Sequence, residues 1–399
     1  MPKSWKHMPR TGHALLENQA TQPRRIHPVF ANPNVVTEGW YPVLASSKLK
    51  RGQATSITVL FQRLAIFRKD NGLVSAIDAF CPHLGADLGN GIVRDNKIQC
   101  RLHGWTFEER GGYAWASKSS CKIKAYPTEE ALGTIWVYAG DLPSHSIPRP
   151  PGLENAVGIS GFRLMSARLF THHHVLALGG IDIEHFASIH KLHAEFAVES
   201  HAVSPGVRDW QVNMQTKNKG LRAKLLRKLV GDTFTYRLRI VGGNLFCITY
   251  GYDQEAKLFG IQIPPLHVMW GCTPTKDQVS DAQVYVVTPK RCGLLGRGKS
   301  WIQRLLTIAL LVMLRDEDVA AFPNFRINTI NTKHLHPILR NFIAYIDTLP
   351  VSNWTNQNPP KDKKRDYHGI DPTPRPNRMV SGASATLDSA HTRSHSSEC

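Results

Sequence analysis

Acidic residues are scarce in this 399-residue chain: 31 Asp+Glu stand against 49 Lys+Arg, a formal charge of +18. The surplus implies an acidic partner or surface. Long apolar runs are also lacking. The longest, Leu305 to Leu314, lies between Arg304 and Arg315 and is too short to cross a bilayer. The first residues, Met-Pro-Lys-Ser-Trp, lack an apolar core ahead of a small-residue cleavage site. They do not read as a secretory signal, and the expectation is a cytoplasmic protein. Seven cysteines are too few for a disulfide framework at this length. No Gly-x-Gly-x-x-Gly follows a strand-like run, so nothing reads as a dinucleotide-binding reductase. No groove-reading or aromatic-interleaved motif accompanies the basic charge, which sets nucleic acid aside.

What is present fits a folded chain of more than one core. Apolar residues make up 42%, ordinary for a globular protein, and the length suits two domains. Residues 1–36 are polar, basic and punctuated by Pro23, Pro28 and Pro33, and read as a poorly ordered extension. From Gly39-Trp40-Tyr41, short apolar runs alternate with turn signals: Ile57 to Leu60, Leu64 to Phe67, Val74 to Ile77 and Ile135 to Tyr138, with Asp70-Asn71-Gly72 as a hairpin turn. This predicts an all-β unit over 37–148. Over 149–350 the reading is α+β. It has a helix around Ile181 to Leu192, strands at Phe234 to Ile240, Leu245 to Tyr252, His267 to Cys272 and Gln283 to Val287, and a long helix from about Ser300 to Ala321. Residues 351–399 turn Pro-rich, then Ser/Thr/His-rich, and read as a disordered tail.

Two cysteines differ from the rest. Cys81-Pro82-His83 is followed, after residues 84 to 99, by Cys100-Arg101-Leu102-His103. Two Cys-His pairs suit a mixed-ligand [2Fe-2S] cluster, with thiolates on one iron and imidazoles on the other. Gly85, Gly89 and Gly91 supply tight backbone around it. Tetrahedral zinc uses the same residue types, but zinc modules pair like with like, whereas here each loop carries one of each.

A second constellation, Asp182-x-x-His185-x4-His190, begins about eighty residues after His103. Two imidazoles and a carboxylate on one face of a ferrous ion leave positions open for O2 and substrate. On an ideal helix His185 and His190 stand roughly 140° apart, so sharing a metal requires the helix to end or unwind between them. Asp182 shares a face with His185 and suits a partner that orients its ring and passes charge. The missing carboxylate is then sought in Arg315-Asp316-Glu317-Asp318, at the end of the apolar stretch. Asp318 is the choice and Glu317 the fallback.

Cys-Pro-His-Leu-Gly-Ala (81 to 86) and His-Gly-Trp (103 to 105) resemble the cluster loops of the Rieske non-heme iron oxygenases. Respiratory Rieske proteins carry an extra cysteine in each loop, and none is present here. The resemblance covers roughly residues 37 to 340 and is nearest the sterol-acting members, the cholesterol 7-desaturases and the 3-ketosteroid 9α-hydroxylases. It implies a β-rich Rieske domain before a helix-grip (Bet v 1-like) catalytic domain, with mononuclear Fe(2+) on His185, His190 and Asp318. It further implies a head-to-tail homotrimer, in which His83 or His103 of one subunit reaches Asp182 of the next. Electrons would come from NAD(P)H through a separate reductase, with or without a ferredoxin. The implied reaction is O2-dependent hydroxylation or desaturation of a bulky apolar, sterol-like substrate. Phe246, Tyr250, Tyr252, Phe259 and Trp270 lie on or near the catalytic strands, mostly as core. Two departures stand out. Arg101 and Leu102 replace the family's Pro and aromatic, and Leu178 and Gly179 stand where an Asn is common. An aromatic-ring oxygenase and a non-enzymatic Rieske electron carrier are the rival readings.

The basic surplus concentrates in two places. Lys217, Lys219, Arg222, Lys224, Arg227 and Lys228 surround leucines, and Lys290, Arg291, Arg297, Lys299 and Arg304 stand beside Leu294-Leu295. A solvated face, docking of an acidic electron donor and peripheral contact with an anionic membrane stay open.

Overall fold

Apolar runs too short for helices become antiparallel sheet, and the computed structural model describes residues 29–59, 61–108, 122–189, 193–217, 233–252, 257–258, 261–275, 279–321 and 334–355. The first domain contains β1 (Trp40–Ala45), β2 (Ala54–Val59), β3 (Gln62–Arg68), β4 (Val74–Asp78), β5 (Ile92–Arg94), β6 (Lys97–Gln99), β7 (Thr106–Phe107), β8 (Ala125–Tyr126), β9 (Thr128–Ala131) and β10 (Thr134–Tyr138). They form three sheets, β2-β3-β4-β8, β1-β10-β9 and β5-β6-β7. The expected turn closes the β3–β4 hairpin: Gly72 donates to the Lys69 carbonyl at 2.9 Å and takes φ +92°. In β3, Leu64 and Ile66 face a core with Tyr41 and Tyr126, while Ala65 and Phe67 face a second core with Cys81 and Cys100. Burial on both faces explains why this strand reads as an unbroken apolar run.

The second domain is built on a seven-stranded antiparallel sheet in the order β11-β19-β18-β15-β14-β13-β12. Its strands are β11 (Ile159–Leu169), β12 (Ala194–Ser204), β13 (Val207–Thr216), β14 (Thr233–Val241), β15 (Leu245–Tyr250), β18 (Leu266–Pro274) and β19 (Ser280–Pro289), with a short pair β16 (Lys257–Leu258) and β17 (Ile261–Gln262) between. Helices α1 (His173–Gly179), α2 (His185–Ser188), α3 (Gly293–Ala321) and α4 (Pro337–Ile346) complete it. Alternation along the strands divides the sheet's faces. Trp210, Leu238, Ile240 and Phe246 pack with α1 and α4, while Leu245, Cys247, Met269 and Tyr285 pack against Trp40, Trp136 and Tyr138 of the first domain. The sheet therefore lies between helices and the first domain, and the interdomain contact is apolar core. Arg239, buried on that side, bonds Asp209 at 2.8 Å and Glu154 at 2.7 Å, fixing the interdomain linker to β13 and β14.

Several expectations need correction. The extension expected over 1–36 is ordered from Val29, because Val29, Phe30 and Ala31 are buried in the second domain's core. Residues 351–355, expected in a disordered tail, are part of the fold: Val351 bridges Thr37, and Trp354 is buried against Tyr41 and Tyr126. The helix expected over Ile181 to Leu192 shrinks to the single turn of α2, and α1 and α4 were not foreseen. Strands β11 and β12 escaped notice because their side chains are half-buried or exposed, giving no apolar run. Trp354→Ala should lower unfolding stability by about 3–5 kcal/mol, the usual cost of deleting a buried indole. Urea titration followed by circular dichroism measures it.

Candidate functional site

The cluster loops close by the same backbone device. Gly85 N–H donates to the Cys81 carbonyl at 2.8 Å, and Gly104 N–H donates to the Cys100 carbonyl at 3.0 Å. Each cysteine N–H in turn donates five residues ahead, Cys81 to Ala86 and Cys100 to Trp105. Both glycines have positive φ, +74° and +73°, where a side chain would be strained. Gly104 is thus a functional residue that composition alone did not single out. Aligning the loops on their cysteines shows it, since each has Gly four residues on. Of the other glycines named in the sequence, Gly89 is required because a Cβ there would lie 2.2 Å from the Ser56 nitrogen.

The two loops put their four predicted ligands together. Cys81 and Cys100 are buried and their thiols touch. His83 and His103 lie outward, ring centroids 4.5 Å apart, and His83 stacks on Trp105 at 4.5 Å and 5°. Burial raises the Cys81 pKa, the neighbouring Cys100 thiol adds to it, and the N–H groups of His83 and Leu84 aimed at the sulfur oppose it. A thiol pair on the buried side and an imidazole pair at the tip fit a [2Fe-2S] group with unlike irons. Asp87 anchors the first loop. It accepts from the Gly89 N–H at 2.9 Å, from the Ser56 hydroxyl, and from Arg63 at 2.6 Å. Burial works against its ionisation, but those donors outweigh it and hold the carboxyl below its usual range. Arg101, exposed, ties the second loop to the first by donating to the Asn90 carbonyl.

The second constellation is described in part. His185 opens α2, and its Nδ1 bonds the main-chain carbonyl of Asp182. With Nδ1–H donated there, the ring's lone pair is on Nε2, as a metal ligand requires. Asp182 therefore positions the ring through its backbone, whereas the sequence reading assigned the task to its side chain. The carboxylate Oδ1 instead accepts from the Glu184 N–H at 3.0 Å, forming a tight turn. This turn replaces helix just before His185, and α2 ends at Ser188. His190 lies outside the described residues, as do the side chains of Glu317 and Asp318 on α3, the basic segment from Lys219 to Lys228, and Phe259. Half-buried aromatic rings stand beside His185. Phe186 meets Phe196 at 5.2 Å and Tyr236 at 6.4 Å, and Phe234 and Tyr250 extend the row. Of the aromatics singled out earlier, Phe246 is core, and Tyr252 lies under the Arg237 guanidinium at 3.7 Å.

Among the described residues, one other set of side chains is close enough to share an ion. His172, His173 and His174 are buried and bring one nitrogen each within 4.8 Å. Their hydrogen bonds argue for another role. His172 Nδ1 accepts from the His174 N–H at 3.2 Å, and His174 Nδ1 accepts from the Ala31 N–H at 2.9 Å. A neutral ring that accepts at Nδ1 carries its proton on Nε2, where a metal would have to bind. The triplet is a neutral socket for the N-terminal segment, with Phe30 stacked on His174 at 5.9 Å.

Residues 39–127 match the Rieske [2Fe-2S] domain family. A cholesterol 7-desaturase of Drosophila melanogaster is 31% identical over 273 residues, 61% of this chain and 62% of that protein. The chain carries a Rieske [2Fe-2S] domain. A 3-chlorobenzoate-3,4-dioxygenase oxygenase subunit of Comamonas testosteroni is 30% identical over 42% of this chain and 41% of its own. The chain thus spans less than two thirds of the length of these curated relatives. The structure of NdmB from Pseudomonas putida CBB5 superimposes with a TM-score of 0.55 at 17% identity, covering 79% of this chain and 93% of that one. That likeness shows the fold, α+β in two domains with a β-rich domain first, and the matched domain family is one that holds a [2Fe-2S] cluster. No helix among the described residues is long and apolar enough to cross a membrane.

Two outcomes follow from this geometry. Arg101→Gln removes a cation beside the cluster and should lower its midpoint potential by roughly tens of millivolts, measurable by redox titration of the EPR signal. Burial pushes His172 down to about 3 and, with neighbouring rings, His173 and His174 well below the ordinary value. The folded chain then binds fewer protons than the unfolded one below the ordinary histidine pKa of about 6.5. Stability should therefore fall as pH drops from there toward 4, by up to about 1.4 kcal/mol per pH unit for each histidine. Denaturant titrations across that window should show a shallower slope in His172→Phe.

Proposed function

We propose that this chain is the terminal oxygenase component of a monooxygenase system that hydroxylates or desaturates a bulky apolar, sterol-like molecule. The observation that carries this reading is the orientation of His185, with Nδ1 on the Asp182 carbonyl and an aromatic row beside it. When bound, the cluster supplies electrons singly and the mononuclear iron supplies a place for O2 beside the substrate.

The protein's own residues do the rest. The Asp182 turn holds the His185 ring so that Nε2 meets the metal. His190 and Asp318 would complete the ligand set, with Glu317 as the alternative carboxylate. Phe186, Phe196, Phe234, Tyr236 and Tyr250 offer apolar surface to a fused-ring substrate and keep water from its reacting carbon. The chemistry of the relatives points the same way, since the Drosophila protein is a cholesterol 7-desaturase. At the cluster tip Leu84 and Leu102 are 67% and 56% exposed around His83 and His103. Apolar side chains ringing two imidazoles suit a dry protein contact, and a separate reductase or ferredoxin would deliver electrons to the cluster. In a head-to-tail trimer the same tip would face Asp182 of the next subunit. There the carboxylate Oδ2, the oxygen not held by Glu184, would accept the ring N–H of His83 or His103. The chain's excess of cations favours an acidic donor.

A second reading is an aromatic-ring oxygenase, favoured by the Comamonas relative and the aromatic row. Product analysis with labelled O2 separates the two: one labelled oxygen or none marks hydroxylation or desaturation, and two mark a dioxygenase. The decisive test is metal content with variant turnover. Loaded protein should hold three irons and two acid-labile sulfides per chain. His185→Ala should lose one iron and all turnover toward a sterol panel with a generic reductase, while its cluster EPR signal persists. Two irons in the wild-type chain would instead identify an electron carrier.

A further inference from the structure

Helix α3 has its polarity turned inside out. Among the described residues, the side chains it buries fully are Ser300, Gln303 and Thr307, with Leu306, Ile308, Leu310 and Leu311 half-buried beside them. Arg291 donates to Ser300 Oγ at 3.1 Å and to Gln303 Oε1 at 2.9 Å, and Thr307 donates to the Gln303 carbonyl at 2.8 Å. Apart from Arg297, Lys299 and Ala309, its exposed side chains are large and apolar: Leu294 88%, Leu295 84%, Trp301 61%, Ile302 57%, Leu305 44% and Val312 65% exposed. At about 100° per residue the three polar positions span roughly 60°, and the six apolar ones span roughly 120° on the opposite side. A surface helix of a globular protein buries its apolar stripe. Here the stripe faces away from the fold, so it is shaped for an apolar environment the fold does not provide.

Charge states what that environment is. Six Lys/Arg and no Asp/Glu occur from residue 282 to 315. Arg291 is half-buried and bonded to Ser300 and Gln303, and Arg304 bonds Ser160 at 2.6 Å. Arg297 and Lys299 are exposed and make no ion pair among the described residues. On the helical projection they fall on the two rims of the apolar stripe, one on each side. Aliphatic side chains and a tryptophan flanked by cations match the boundary between acyl chains and anionic headgroups, where long cationic side chains reach the phosphates. A ferredoxin-like protein would match the cations but not two leucines exposed almost completely.

We propose that the Leu294–Val312 part of α3 is an interfacial anchor that lies flat on an anionic phospholipid bilayer. Its apolar stripe sinks below the headgroups, and Arg297 and Lys299 sit at their level. The surface buried in lipid runs about 27 Å along the helix axis. The anchor would bring the second domain to where a sterol-like molecule dissolves, but its existence does not depend on that substrate.

Flotation of the full-length protein with phosphatidylcholine vesicles, with and without about 30 mol% phosphatidylserine at about 0.1 M salt, tests this. The wild type should float with the anionic vesicles, and less with the neutral ones. The double variant Leu294→Ser/Leu295→Ser should reduce flotation about tenfold or more, and Arg297→Glu/Lys299→Glu should remove the preference for phosphatidylserine. Circular dichroism and the cluster spectrum of both variants should match the wild type, since all four side chains are exposed. The proposal is overturned if the wild type stays with the unbound fraction. It is equally overturned if the leucine variant floats unchanged while sedimentation shows altered oligomer size or ferredoxin reduction slows. Those results would make the face a protein interface. Because flotation needs no turnover, the inference and the sterol reading can fail separately.

Discussion

The shape of the cluster loops depends on two local hydrogen bonds, from Gly85 to the Cys81 carbonyl and from Gly104 to the Cys100 carbonyl. They fold two unequal pieces of sequence into loops of one shape, so that the buried ends present sulfur and the outer ends present imidazole. Without them, two Cys-His pairs about twenty residues apart would have to be gathered against chain entropy. Asp87, with Ser56 and Arg63, fixes that pair to the strands beneath. The cluster site is therefore a property of backbone geometry as much as of ligand identity.

The second domain solves a different problem. Its sheet is covered on one face by helices and on the other by the first domain, so almost every central position is apolar. Polar groups that remain inside are paired or neutral: Arg239 between two carboxylates, and the three histidines with their rings uncharged. One edge of this solid body carries Asp182 and His185 in a turn followed by a single helical turn. Irregular backbone at that point frees the ring to be set by a carbonyl, which a continuing helix would have used internally.

Much of this was legible in the residues. Cys81, His83, Cys100 and His103 were expected together from their type and spacing, and the two loops do bring them together, while the strands buried on both faces showed as apolar runs. The long helix was readable from Ser300 onward, though its first turns were not, because Gly293, Gly296 and Gly298 dilute the pattern. Strands β11 and β12 escaped because exposed and half-buried side chains erase the alternation. Asp182 was expected to orient His185 through its side chain, whereas the atom that bonds the ring is a main-chain oxygen, and side-chain identity carries no information about that. The buried state of His172 to His174 depends on a segment more than a hundred residues earlier, a contact with no local signature.

The chain's two described ends are exchanged. Val29 to Ala31, ahead of the first domain, dock into the second, and Trp354, beyond the second, docks into the first. Neither compact half is thus a contiguous stretch of sequence. During synthesis the cluster-bearing half lacks its last aromatic plug until nearly all described residues have left the ribosome. Metal insertion into an incompletely closed half, and joint rather than sequential consolidation of both, are the natural consequences of such crossed ends.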